Sequence, residues 1–185
     1  IFHQGFRRKK RQLKSRKVNR LKEYGFMTSY EDEAICIRRQ DYSETSQLMT
    51  LFGRRHGKIN CIAKGSRRAS GKFGGGVDLL CRGYMQFRPS QGESNLATLT
   101  EFQLQESYSA LRQNLVTLNC GLLAGDLVSR VTIDADPHET LYETLSQFLS
   151  ILGSDGRTLL LMVRFELALL REIGLIPNWF QCVGC

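Results

Sequence analysis

The sequence predicts an α+β chain in which strands come first and helices follow. Three observations carry this: short apolar runs bounded by turn formers fill residues 34–104, apolar spacing turns helical after Glu106, and the two stretches differ in charge. Residues 38–88 hold eleven Lys/Arg against Asp41, Glu44 and Asp78, whereas residues 106–185 hold five against nine acids. The strand-rich part is therefore the cationic part.

The runs at 34–38, 48–52 and 59–63 are rich in β-branched or large apolar residues and read as strands, with Arg55-His56-Gly57 as the hairpin turn between the second and third. Two further strands are expected around 79–87 and 96–104, joined by the turn-forming cluster Pro89-Ser90-Gln91-Gly92-Glu93. Five strands in so short a span are the count of a small closed barrel such as an OB-fold. Beyond it, Leu111, Leu115, Leu118 and Leu122 recur at helical spacing, as do Leu141, Leu145, Phe148 and Leu152. Asp136 is the expected N-cap of the second helix, with Pro137 at its first position and Glu139 three residues after the cap, and Gly153 ends it. A third helix over 158–173 is apolar on nearly every side, which points to the centre of a bundle, and Gly174 with Pro177 stops it. The expected division is a basic, disordered extension over 1–26, the barrel over 27–105 and a helical domain over 106–185.

Composition excludes several classes. A 185-residue chain with 42% hydrophobic residues buries a real core and is not a disordered protein. Its longest apolar stretch, 159–163, ends at Arg164, far short of the roughly 18 residues of a membrane span. Of six cysteines, 36, 61, 81 and 120 sit singly inside apolar runs, where buried free thiols are the common outcome, so a reducing, cytoplasmic compartment fits. The formal charge of +8 comes from the first 26 residues, whose ten Lys/Arg face only Glu23; the remaining 16 basic and 17 acidic groups nearly balance. Met27 stands just ahead of the predicted fold, so that segment reads as upstream translation or as a loosely held basic arm, with a transit peptide a minor third option.

The chemistry concentrates in Lys64-Gly65-Ser66-Arg67-Arg68-Ala69-Ser70-Gly71-Lys72-Phe73-Gly74. Four cations there are spaced by Gly and Ser, which leave the backbone free to follow a bulky polyanion. Lys64, Arg67, Arg68 and Lys72 are the expected phosphate contacts, Phe73 is the expected base-stacking ring, and Arg38, Arg39, Arg54 and Arg55 are further candidates. The other aromatics, Tyr42, Phe52, Tyr84 and Phe87, read mainly as barrel core, and His56 as a turn residue. Cys182-Val183-Gly184-Cys185 has metal-ligand spacing but supplies two of the four ligands of structural zinc, with a structural remnant or a redox couple as the lesser readings of the pair. Two other functional classes stay open: an RNA-binding structural factor, and a metal-dependent nucleic-acid enzyme, for which Asp134 and Asp136 are the nearest acid pair although helix capping explains them.

Several segments also resemble the RecO family of bacterial recombinational-repair mediators: Glu33-Ala34-Ile35 leading to Arg39-Gln40-Asp41-Tyr42-Ser43-Glu44-Thr45, Leu51-Phe52, His56-Gly57-Lys58, Ala63-Lys64-Gly65-Ser66-Arg67-Arg68, Leu99-Thr100-Glu101, Arg164-Phe165-Glu166, Gly174 and the terminal cysteine pair. The resemblance runs from Glu33 to Cys185. It implies an OB-fold that binds single- and double-stranded DNA, a helical domain, and a four-cysteine zinc site of which Cys182 and Cys185 are the first half. It further implies strand annealing, action with RecR, recognition of the SSB tail, indirect service to RecA, a nucleoid-associated bacterial setting, and no covalent catalysis. Ala69 stands where the family often has Pro, which leaves the charges intact. The half knuckle and the start at Ile1 read as a fragment.

Overall fold

The computed structural model describes residues 29–67, 73, 77–90, 95–154 and 156–176. Five strands, β1 (Tyr30–Asp41), β2 (Gln47–Gly53), β3 (Gly57–Ala63), β4 (Arg82–Arg88) and β5 (Ala97–Glu106), close into a barrel in the order β1-β2-β3-β5-β4. Every pairing is antiparallel except the short parallel one between β3 and β5. This is the expected OB-fold arrangement. A 3-10 turn (Ser109–Gln113) leads to α1 (Leu115–Val131), α2 (Glu139–Leu152) and α3 (Thr158–Glu172).

Alternation along the strands builds two cores. Ala34, Cys36, Met49, Leu51, Ile59 and Cys61 point into the barrel with Met85, Leu99 and Phe102. From the outer side of the same wall, Ile35, Ile37 and Phe52 join Leu111, Val128, Leu141, Tyr142, Leu145 and Phe148 in a second cluster beneath the helices. Cys36, Cys61, Cys81 and Cys120 are free and buried, as expected.

The expected β4 begins late. Leu79 and Leu80 form a turn, with Leu80 at φ 60°, while Leu80 N–H donates to the Cys36 carbonyl at 2.8 Å. That turn aims the Leu80 side chain at α1, where a Cβ on Gly121 would lie 3.0 Å from it and one on Gly125 3.5 Å. The helix must come close here, and this reverses the face that the leucines mark. Cys120, Gly121, Ala124, Gly125 and Val128 face the core, whereas Leu115 is 73% exposed and Leu122 and Leu123 also face outward. Small residues permit the approach; leucines would hold the helix off.

Two further expectations need correction. Asp136 is not the N-cap of α2, which starts at Glu139 after His138. The segment before it is held against β3 instead: Ala135 N–H donates to the Lys58 carbonyl at 2.8 Å, and Asp134 bridges Lys58. Nor is α3 the centre of a bundle among the described residues, since Met162, Phe165 and Leu169 are buried but Leu159, Leu160, Val163 and Leu167 are exposed. Gly153 does end α2, where a Cβ would meet that of Ala110 at 2.6 Å, and Gly174 ends α3 at φ +72°. Pro177 lies outside the described residues.

Candidate functional site

The open surface of the barrel is the outer face of β1, β2 and β3 beyond the reach of the helices. Strand register stacks it in rows. Arg38 pairs with Thr50 and Thr50 with Asn60, whose side chains share a 2.9 Å hydrogen bond; Gln40 pairs with Leu48 and Leu48 with Ile62. A β-bulge between Cys36 and Arg38 ends the stretch that faces the helices and turns Arg38 to solvent. One step further, Tyr42 N–H donates to the Ser46 carbonyl at 3.0 Å, and Lys64 follows the end of β3.

Two ties bring the basic turn after β3 against the β1–β2 loop. Buried Ser66 donates to Gln47 Oε1 at 3.0 Å, and Gln47 Nε2 donates to Asp41 at 3.3 Å. Arg67 N–H reaches the Thr45 carbonyl at 3.3 Å, and its guanidinium lies 3.5 Å from Asp41. Together Tyr42, Ser43, Thr45, Ser46, Ile62, Lys64 and Gly65 enclose a shallow cavity of about 340 Å³.

The expected cations separate into two groups. Arg38, Arg55 and Lys64 are without an ion pair among the described residues, and Arg67 has only the long contact to Asp41. Arg39 and Arg54 are instead paired with acids distant in sequence. Arg39 pairs with Asp78 at 2.9 Å, which also holds Arg112 at 3.0 Å. Arg54 spans from the barrel to α2, 3.0 Å from Glu139 and 2.7 Å from Glu143, and the Glu139 hydrogen bond, then the Glu143 charge, hold its guanidinium pKa above the ordinary value. Lys58 donates to the Ser129 and Thr132 carbonyls at 2.7 and 2.8 Å, capping the C-terminal end of α1.

Nor do all candidates share one surface. Arg54 and Arg55 occupy the hairpin turn at the far end of β3 from Lys64, roughly 20 Å away at about 3.3 Å per residue. They border a larger cleft of about 450 Å³ lined by Glu31, Asp32, Glu33 and Glu101, an acidic setting that repels a polyanion. Asp32 belongs to the turn itself. Its buried carboxylate accepts from the backbone N–H of Arg55 and of His56, each at 2.9 Å, and faces His56 Nδ1 at 3.0 Å.

Phe73 is not a stacking ring in this arrangement. It is 8% exposed and packs in the barrel core, where burying a phenyl ring gains about 1.5–3 kcal/mol. Phe52 and Phe87 are core as expected, but Tyr42 is 65% and Tyr84 51% exposed. The signal for Tyr42 lay in its neighbours, since an aromatic inside Asp41-Tyr42-Ser43-Glu44-Thr45 has no apolar run to bury with. Arg68, Lys72, Cys182 and Cys185 lie outside the described residues. Among the described residues no cluster of three His, Cys, Asp or Glu is placed to hold a metal, and no helix is long and apolar enough to cross a membrane.

Residues 27–108 match the family model described as Recombination protein O N terminal, and residues 112–185 match Recombination protein O C terminal. The chain belongs to the RecO family. Among its relatives in that family, the DNA repair protein RecO of Moorella thermoacetica is 32% identical over 156 residues, covering 84% of this chain and 57% of that protein. The protein of the same name from Rhodopirellula baltica is 30% identical over 152 residues, with 82% and 56% covered, and that from Myxococcus xanthus 28% over 159, with 86% and 64%. This RecO-family chain thus spans 56–64% of the length of these three relatives.

Proposed function

We propose that this RecO-family chain is a DNA repair protein that binds single- and double-stranded DNA on the outer face of β1, β2 and β3. One observation carries the reading: Arg38, Lys64 and Arg67 lie on the side of the barrel left open by the helices, whereas Arg54, which reaches α2, is matched there by Glu139 and Glu143. Phosphate binding by such a surface releases counterions and needs no base contact. OB-folds bind oligonucleotides through this strand face and the adjoining β1–β2 loop.

Screening the repulsion between two phosphate backbones is enough to promote annealing of complementary strands, so the reading requires neither ATP nor a nucleophile. Within it the intact protein works with RecR and the SSB tail to help load RecA, in the cytoplasm. Cys182 and Cys185 give half of a structural zinc site, because two thiolates leave half a tetrahedral shell open. Incubating labelled complementary strands with the purified chain, with and without Mg²⁺, is the decisive experiment. Duplex should accumulate in both conditions; nucleotide-length products that follow the protein through purification would sink the proposal. Metal analysis tests the zinc half. This chain should lose zinc on gel filtration, and a longer product with a second cysteine pair should keep it.

A further inference from the structure

The cavity beside Lys64 differs from the rest of the proposed DNA face. Phosphate contact asks for cations alone, yet this cavity has the exposed Tyr42 at its rim and half-buried Ile62 in its lining. The Thr45 and Ser46 side-chain hydroxyls have no partner among the described residues, which leaves donors and acceptors for a polar edge. An aromatic face, an aliphatic surface, hydroxyls and one cation are the components that receive an unpaired nucleobase with its phosphate.

We infer that this cavity takes one unstacked base of single-stranded DNA, with Tyr42 as the stacking residue and Lys64 on the adjacent phosphate. The inference rests on the DNA-binding reading of the same face and adds a preference to it. A duplex keeps its bases stacked internally and can offer Lys64 its backbone, but offers Tyr42 nothing. Single-strand binding therefore uses both residues and duplex binding only the lysine. The loop geometry supports this, since the Tyr42–Ser46 and Arg67–Thr45 backbone contacts fix the rim before any strand arrives.

The test compares Tyr42→Ala, Tyr42→Phe, Lys64→Ala and Arg38→Ala in the full 185-residue chain, by fluorescence anisotropy with an oligothymidine and a blunt duplex at several salt concentrations. Base–aromatic stacking of about 1–3 kcal/mol corresponds to about 5- to 140-fold, so Tyr42→Ala should weaken oligothymidine binding by that factor. Its salt slope and duplex affinity should stay unchanged, and Tyr42→Phe should bind as the parent does. Lys64→Ala should weaken both DNA forms. If Lys64→Ala acts while Tyr42→Ala does nothing, or weakens both forms equally, the base pocket is wrong and the DNA face stands. If Arg38→Ala and Lys64→Ala are both silent, the face itself is misassigned. Photocrosslinking an oligomer that carries 5-bromodeoxyuridine gives an independent readout: adducts on Tyr42 support the pocket, and adducts only elsewhere overturn it.

Discussion

The double variant Arg38→Ala/Lys64→Ala tests the open face most directly. Both side chains are exposed and without an ion pair among the described residues, so their removal leaves no acid uncompensated and folding should be unaffected. Arg38 lies in the Thr50–Asn60 row and Lys64 beside Tyr42, which follows β1 four residues beyond Arg38, about 13 Å at 3.3 Å per residue. That exceeds the Debye length of about 10 Å at 0.1 M salt, so the two cations screen independently and their effects add. Each lost phosphate contact removes roughly 0.7 from the slope of log affinity against log salt for single strands and 0.9 for duplex. The pair should therefore lose about 1.4 and 1.8. Between 50 and 200 mM salt, a loss of 1.4 makes the fall in single-strand affinity about sevenfold smaller than in the parent. The control is Arg164→Ala/Arg171→Ala, which removes equal charge from exposed positions on α3, a helix packed on the other two helices. Equal slope changes in both pairs would mean diffuse charge attraction and no discrete site.

Three more outcomes follow from the packing. Lys58→Met strands two helix-terminal carbonyls and should cost about 2–3 kcal/mol in urea unfolding followed by circular dichroism; a cost near zero would show that the cap is decorative. Phe73→Ala should lose about 3–5 kcal/mol as a core truncation, while at temperatures where it remains folded its DNA affinity equals the parent's; selective loss of single-strand binding would restore the ring as a stacking residue. Burial pushes the Cys61 thiol up to about 12 and Cys81 to about 11 from an ordinary 9.0, so their contribution to stability is intact below about pH 9 and is lost as pH rises toward those values. A thiol reagent should accordingly label Cys61 and Cys81 only after denaturant is added, and rapid native labelling would contradict their burial.

How much of this was legible depended on the range of the signal. Strand alternation is local, so five strands, their order along the chain and the hairpin at His56 could be read directly. The inward face of α1 could not, because its packing uses glycine and alanine, which give no hydrophobic signal, and its partner Leu80 depends on a left-handed turn. The basic face was half legible. Counting charge within residues 38–88 credits Arg54 and Lys58 to a polyanion, whereas their partners Glu139, Glu143 and Asp134 lie more than 70 residues away in the acidic half. Tyr42 reads as core only when it is counted with the other barrel aromatics; its polar neighbours Asp41, Ser43 and Glu44 already point it to solvent.

The wall shared by the two cores has its own consequence. Along β1, Ala34, Ile35, Cys36 and Ile37 are all buried, so polarity cannot tell the strand which side is which. Side-chain volume does so instead: the small Ala34 and Cys36 share the barrel core with larger residues such as Met49, Leu51 and Phe102, and the two isoleucines fill the cluster beneath the helices. A slip of one residue would drive isoleucine into space shaped for alanine. Enlarging Ala34 or Cys36 therefore threatens strand pairing itself, whereas trimming Ile35 only opens a void, and this asymmetry sets which substitutions the strand can accept.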